Sequence, residues 1–316
     1  MLRVTFRGTA SARPTVGRNV SSIAVKREGR YFLFDCGEGT QRQIMRFGVG
    51  FGFEEIFVTH LHADHYLGIT GLLRTMSLQG REAPLAIWGP SDSHSFLQGL
   101  VTLGGERSTF PIHVREIPAG ECVRYEGFRL EAFATEHARR SVGFALIEED
   151  RPGRFDVEAA VRLGIPEGPL FGRLQRGQSV RLPDGRTIAP EQVVGPPRPG
   201  RRVVYTGDTR PSSRVAEIAR GADLLIHEAT FGENERDRAA DTGHSTAREA
   251  AQIASDAGVG RLILTHVSAR YADQPQSLLR EARRVFPHCE VARDGLAVEV
   301  PFPATDASGR SREGRA

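Results

Sequence analysis

Alternation of apolar and polar residues predicts strands through the first part of the chain. From Leu2 to Val58 the pattern reads strand, loop, hairpin, short helix and strand. SSIAVKR and YFLFDCG alternate about a turn at Glu28, Gly29 and Arg30, and EEIFVTH runs into the first histidines. From His65 to Gln79 the apolar positions Leu67, Ile69, Leu72, Leu73 and Met76 recur at helical spacing. LAIWGP then reads as a short strand and SDSHSFLQGLVTL as a helix with Ser91 as its N-cap. IHVREI, FRLEAFATEH and VGFALIEE read as further strands. From about Arg151 to Arg202 the pattern breaks into Gly, Pro and Arg, which predicts an insertion rather than core. Beyond it come the strand RRVVYTGD, a helix from Ser212, the strand ADLLIHEAT, a helix opening at a capping box of Thr246 and Glu249, the strand RLILTH, a helix over SLLREARRVF and a final strand pair. The pattern as a whole is α/β, two similar halves about one insertion.

A chain of 316 residues can bury one large core or two modest ones. We expect a single domain over 1–302 with an inserted segment at 151–202. The tail 303–316, with ATDASGRSREGRA beyond Pro303, has almost nothing to bury and is expected to be disordered. No apolar run is long enough to cross a bilayer, and the amino terminus enters a strand without a signal-peptide core, so a soluble cytoplasmic protein is expected. Cys36, Cys122 and Cys289 are far apart and form no CxxC pair, which reads as three reduced, buried thiols. The net charge of +3 makes the molecule no polycation, so nucleic-acid binding has to rest on local patches. Lys26 is the only lysine, a skew towards arginine that reflects coding bias more than function.

The chemistry is concentrated in HLHADH, residues 60–65, which sets three imidazoles and a carboxylate in six consecutive residues at the end of an apolar strand. In an extended segment His60 and His62 face one way and can share one metal ion. Asp64 and His65 come where the chain turns into a helix and can aim at a second ion a few ångströms away, as two-metal hydrolytic sites require. Other residues are ambiguous on their own. His137 and His266 could be ordinary histidines after strands, Asp208 in TGDT a turn residue, Glu228 a buried structural acid and His244 a residue beside a helix cap.

HLHADH resembles the signature of the metallo-β-lactamase superfamily, and the further ligands that resemblance requires stand in the right order at His137, Asp208 and His266. The resemblance implies a four-layer αββα sandwich. It also implies two zinc ions per subunit, one held by His60, His62 and His137, the other by Asp64, His65 and His266, with Asp208 between them. Nitrogen and oxygen ligands without sulfur suit zinc first.

Further segments resemble one branch, ribonuclease Z, over the chain from Phe6 to about Val300. GTASARPTVGRNVSS is similar to that family's substrate loop, with Pro14, Arg18 and Asn19 in place and Val16 where the family has lysine. GRFDVEAAVRLGIPEGPLFGRLQRGQSV is similar to its flexible arm, which grips transfer RNA, through Gly164, Pro166, Gly168, Pro169, Arg173 and Arg176. HEAT at 227–230 and GHST at 243–246 resemble two more family motifs, in which a glutamate, here Glu228, orients a proton-donating histidine, here His244. The resemblance implies an endoribonuclease that removes the 3′ trailer of precursor tRNA, leaving a 3′-hydroxyl on the tRNA and a 5′-phosphate on the trailer. Asp64 would orient the attacking hydroxide or take its proton, and the implied assembly is a homodimer. The competing readings are another two-metal phosphodiesterase or thioesterase of the same fold, and a non-catalytic nucleic-acid-binding homologue.

Overall fold

The structure is a computed structural model that describes residues 1–48, 50–103 and 108–303. Of the expected tail, only Pro303 lies within the described residues. Two compact units divide the chain, one of Met1–Ile147 with Arg202–Pro301, the other of Glu148–Arg201 with Phe302.

In the first unit β1 (Leu2–Gly8), β2 (Ser22–Arg27) and β3 (Arg30–Phe34) form an antiparallel meander. After α1 (Thr40–Arg46) the sheet grows in parallel through β4 (Glu55–Phe57), β5 (Leu85–Gly89) and β6 (Ile112–Glu116). The connections carry α2 (Ala63–Tyr66), α3 (Gly68–Leu78) and α4 (His94–Thr102). The single helix expected from His65 is thus two, joined at Leu67, and the first opens early enough to take in Asp64 and His65. Helix α4 starts after Ser93 rather than Ser91: the Ser93 hydroxyl bonds back to the Pro90 carbonyl, and Glu116 accepts from the first helical amide, His94 N.

The second sheet begins at β7 (Cys122–Tyr125), a strand the alternation did not single out, paired with β8 (Phe128–Ala134), followed by β9 (Val142–Glu148). The inserted unit carries α5 (Val157–Arg162), α6 (Pro169–Gln175) and a two-stranded ladder of β10 (Val180–Arg181) and β11 (Thr187–Ile188). The sheet resumes with β12 (Arg202–Tyr205), antiparallel to β9. After α7 (Ser213–Ala219) comes β13 (Leu224–Glu228), then α8 (Arg236–Asp241) and α9 (Ala247–Asp256), with Thr246 and Glu249 closing the capping box. The chain ends with β14 (Leu262–Thr265), α10 (Gln276–Arg283), β15 (Cys289–Val291) and β16 (Ala297–Glu299).

Two seven-stranded sheets result, β16-β1-β2-β3-β4-β5-β6 and β15-β14-β13-β12-β9-β8-β7. This corrects two expectations. The last two strands do not pair with each other, since β15 extends the second sheet beside β14 while β16 crosses to the first beside β1. The insertion, too, does not separate two halves; it replaces the turn between the neighbouring strands β9 and β12, inside the second sheet.

Between the sheets lies an aromatic core of Phe6, Phe34, Phe57, Phe144 and Tyr205 with aliphatic neighbours, Phe34 and Phe57 stacked at 5.4 Å. Each fully buried side chain of this size contributes about 1.5–3 kcal/mol. The outer faces of the sheets are covered by α1, α3 and α4 on one side and by α7, α9 and α10 on the other, which makes the arrangement αββα. The inserted unit has its own small core of Ala160, Ile165, Leu174, Val180, Leu182, Ile188 and Val193. All three cysteines are free; Cys36 and Cys289 are buried as expected, but Cys122, on the edge strand β7, is only half-buried.

Candidate metal centre

Just past β4 the chain is still extended at His62 (φ −85°, ψ 145°), while Leu61 packs towards the helices. The rings of His60 and His62 consequently lie side by side, 4.6 Å apart. The first turn of α2 then brings round Asp64 and His65, both buried. Gly37 and Gly68 make this approach possible, for a Cβ on either would run into backbone oxygens, of Asp64 and of Gly37 respectively. From the second sheet come His137 just after β8, Asp208 just after β12 and His266 at the end of β14. His266 holds a left-handed φ of 56°, a conformation rare outside glycine.

All seven predicted ligands converge into two sets, His60 with His62 and His137, and Asp64 with His65, Asp208 and His266; within each set the donor atoms lie within 4.8 Å of one another. Asp208 Oδ2 stands 3.7 Å from His60 Nε2, 3.3 Å from His65 Nε2, 3.8 Å from His137 Nε2 and 3.3 Å from His266 Nε2. Asp64 Oδ2 lies 3.4 Å from His65 Nε2 and 3.2 Å from His266 Nε2, while His62 Nδ1 and His137 Nε2 are 3.0 Å apart.

The outer edges of these rings fix which nitrogen faces inward. His65 Nδ1 donates to Asp35 Oδ2 at 2.9 Å, and His137 Nδ1 to the Gly243 carbonyl at 2.8 Å. Thr59 Oγ1 lies 3.0 Å from His60 Nδ1 and bonds Asp35, whose carboxylate also accepts the Thr59 amide and the Tyr205 hydroxyl. Carbonyl and carboxylate oxygens only accept, so in His60, His65 and His137 Nδ1 carries the proton and Nε2 presents its lone pair to the centre, whereas His62 turns its Nδ1 towards His137. His60 Nε2, His65 Nε2 and Asp208 Oδ1 are buried there without any hydrogen-bond partner. Orphaned donors of this kind, all nitrogen or carboxylate oxygen, fit divalent metal.

The electrostatics agree. Burial penalises charge on Asp208, yet His266 and His65 outweigh it and hold the carboxyl well below its ordinary pKa. Burial likewise works against charge on His65, but Asp208 and Asp35 on either side hold its pKa well above the usual value, so this position calls for positive charge, a proton or a cation. Desolvation keeps His60 and His137 low and therefore neutral. Beside the ligands, His244 Nδ1 donates to Glu228 Oε1 at 2.8 Å, the carboxylate fully buried and the imidazole 15% exposed. Burial pulls the His244 pKa down, and Glu228 more than reverses this, raising it to about 9.

The predicted RNA-contacting residues are placed differently. Pro14 and Val16 are exposed at a loop tip, but the Arg18 guanidinium is buried on Thr9 Oγ1 at 2.8 Å and the Ala292 carbonyl at 2.6 Å. Asn19 donates to the Glu38 carbonyl at 2.7 Å and from its amide to Asp294 at 2.7 Å. Arg18 and Asn19 therefore anchor the loop rather than form its outer face. Gly164, Pro166, Gly168, Pro169, Arg173 and Arg176 are exposed in the inserted unit, with Gly168 (φ 139°) and Pro169 opening α6. Sequence reasoning missed Asp35, Thr59, Tyr205 and Thr230. Their one signal is adjacency to a motif or a strand end: Thr59 precedes His60 and Thr230 closes HEAT.

Comparison with known proteins gives two partial family matches, a beta-lactamase superfamily domain over residues 188–267 and the Anti-Pycsar protein Apyc1 over residues 2–152. Over nearly the whole chain, the sequence is 54% identical to a protein named ribonuclease Z from Gemmatimonas aurantiaca, covering 95% of this chain and 96% of that one. It is 53% identical to a ribonuclease Z from Haloferax volcanii, covering 98% of each. Among solved structures, human tRNase Z, short form, superposes with a TM-score of 0.69 at 28% identity, covering 95% of this chain and all of that one. A metallo-beta-lactamase fold protein from Bacillus subtilis superposes with a TM-score of 0.67 at 20% identity over 94% and 98%, a likeness of fold.

Proposed function

The chain belongs to the ribonuclease Z family and has the metallo-β-lactamase fold, and on that premise we propose that it removes the 3′ trailer of precursor tRNA at its buried histidine and carboxylate centre. It is a metal-dependent endoribonuclease acting on tRNA. The observation that carries the site assignment is the convergence of His60, His62, His137, Asp64, His65, His266 and Asp208 with their lone pairs aimed inward, beside the Glu228 and His244 pair.

We assign the metals as two zinc ions, held by His60, His62 and His137 and by Asp64, His65 and His266, with Asp208 serving both. Bound there, they would lower the pKa of water from about 15.7 towards 7 and neutralise charge on the phosphoryl oxygens. The remaining steps fall to the chain's own groups. Asp64, still free to accept a hydrogen bond, orients the attacking oxygen or takes its proton. His244 keeps Nδ1 on Glu228, which leaves Nε2 as the atom that protonates the departing 3′ oxygen of the tRNA. The products are a tRNA with a 3′-hydroxyl and a trailer with a 5′-phosphate.

In this reading the inserted unit meets the tRNA body through Gly164, Pro166, Gly168, Pro169, Arg173 and Arg176, where arginine phosphate contacts give affinity without reading sequence. The loop with Pro14 at its tip meets the acceptor end, and Arg18 and Asn19 act by holding that loop in place. The active form is a homodimer in the cytoplasm. Exposed Met45, Leu67, Leu78 and Phe96 on α1, α3, α4 and the α2 to α3 junction are apolar surface of the kind a second copy covers, and no helix among the described residues is long and apolar enough to cross a membrane. Sedimentation at micromolar concentration tests the dimer; a monomer there refutes it.

The reaction is tested with a precursor tRNA bearing a 3′ trailer, a bare phosphodiester as control, and end-group analysis of the products. Zinc-supported cleavage of the precursor to the stated ends is expected. Turnover of the small diester with an intact precursor would overturn the assignment.

A further inference from the structure

Thr230 lies at the end of the strand segment that delivers Glu228, and its hydroxyl meets three groups of the site at once. It is 2.8 Å from His266 Nδ1, 2.7 Å from Glu228 Oε2 and 3.4 Å from His244 Nδ1. A hydroxyl has one proton to give, and a carboxylate can only accept, so the Thr230 proton goes to Glu228. The hydroxyl is then left to accept from His266 Nδ1, which puts the lone pair of His266 on Nε2, the atom facing Asp64 and Asp208. The other oxygen of Glu228 accepts from His244 Nδ1 at 2.8 Å and from the Thr209 amide at 3.0 Å.

One continuous run of hydrogen bonds thus joins a metal ligand to the proton-donor pair, in the order His266, Thr230, Glu228, His244. Every member but His244 is buried, Thr230 3% exposed, Glu228 0% and His266 2%, so water does not compete for these bonds. Thr59 makes a comparable link from His60 to Asp35, but Asp35 passes it on to His65 Nδ1 and the Tyr205 hydroxyl and not to the Glu228 and His244 pair.

We propose that Thr230 is a positioning residue that holds the metal ligand His266 and the Glu228 and His244 pair as one unit, so that a single hydroxyl sets both metal affinity and the alignment of the donated proton. The inference rests on the reading of His244 as proton donor. With Thr230→Val the shape is kept and the hydroxyl lost; His266 Nδ1 loses its acceptor and Glu228 one of its donors. With Thr230→Ser the hydroxyl is kept.

The test has two arms. On RNA-free protein, chelator competition should show zinc affinity lower by about 10-fold or more in Thr230→Val and restored in Thr230→Ser, as for other partners of metal-bound histidines. At saturating zinc, Thr230→Val should still cleave precursor tRNA with kcat about 10-fold lower and KM little changed. In the His244→Ala background the same substitution should lower kcat little further while still weakening zinc binding, because residues acting as a unit are not additive. Unchanged zinc affinity in Thr230→Val, or a serine variant no better than valine, would overturn the link. Full recovery of kcat at saturating zinc, or an additive effect with His244→Ala, would overturn its reach to the proton donor. A His244→Ala protein that cleaves at the parent rate would remove the functional reading itself, an outcome the metal-binding arm cannot produce.

Discussion

In the proposed reading His244 is no metal ligand: its Nδ1 is committed to Glu228, although its ring also offers a donor atom within 4.8 Å of those of His137 and Asp208. His244→Ala should therefore keep its zinc, measured by elemental analysis, and lose cleavage by on the order of 10²-fold or more, the worth of a positioned general acid. Loss of zinc in that variant would reassign it as a ligand. The thiols give a second residue-scale prediction. Burial pushes both Cys36 and Cys289 up to about 12, and at pH 8 only roughly one in 10⁴ of such thiols is ionised. A maleimide should label Cys122 alone in the native protein and all three cysteines in denaturant; rapid native labelling at Cys36 would mean that the fold opens there. The convergence of the seven side chains was legible because imidazoles and carboxylates crowded at the ends of apolar strands lose their hydration on folding, a cost that a bound cation would offset. Their partners were not, because a threonine or aspartate that hydrogen-bonds a histidine is indistinguishable in sequence from one that caps a turn. Arg18 shows the converse: its place in a motif was legible, but whether its guanidinium points out or in depends on Thr9 and Ala292, which only the fold brings near.

At the scale of elements the helical period was readable where one face is buried, as in α3, while β2 and β3, buried on both faces over most of their length, were readable from the turn residues between them. Both signals failed where tertiary contacts decide. Helix α2 exists because Gly37 and Gly68 let the chain pack closely, and β7, half-exposed on its edge, lacks the apolar alternation that marks a strand. The inserted unit was visible as a break in pattern, but its small core was hidden by spacing across two helices and two short strands. That core makes a clean excision possible. Arg151 and Arg198 form a bridge at its neck, each amide bonded to the other's carbonyl at 2.8 and 2.9 Å, and Arg201 makes a buried ion pair with Glu148 at 2.7 Å. Replacing 153–196 by a short Asn-Gly turn keeps both contacts and leaves no half of that core behind. KM for precursor tRNA should rise at least 10-fold while hydrolysis of a small phosphodiester changes little, since lost phosphate contacts weaken only the polyanion. Equal losses on both substrates would deny the unit a docking role.

Over the whole molecule, the α/β class was legible from the alternation alone, whereas which strand joins which sheet was not, because β15 and β16 are equally short and their partners are set by the long-range pairing of β14 and β1. This topology has a consequence for stability. His60, His62, Asp64 and His65 hang from the first sheet, while His137, Asp208 and His266 hang from the second, so each set of donors includes residues from both sheets. Cations held there would tie the two sheets together at one rim, over and above the aromatic core between them. They would also bind the folded chain alone, because the unfolded chain has no such geometry, so that binding would add directly to folding free energy. At a free zinc concentration of 1,000 times Kd, one site contributes about 4 kcal/mol. For a chain of this size each kcal/mol moves the melting temperature by about 2 °C, so chelation should lower Tm by about 8 °C per site so saturated. Calorimetry with and without chelator checks the size, and readdition of zinc should restore the original transition. Hydrogen exchange should locate the effect: amides near 58–65, 135–141, 206–210 and 265–268 should lose protection on chelation, while those in the core of the inserted unit should not. A Tm unmoved by chelation of a demonstrably loaded protein would mean that the sheets are held by their apolar contacts alone and that the metals do not act as a link between them.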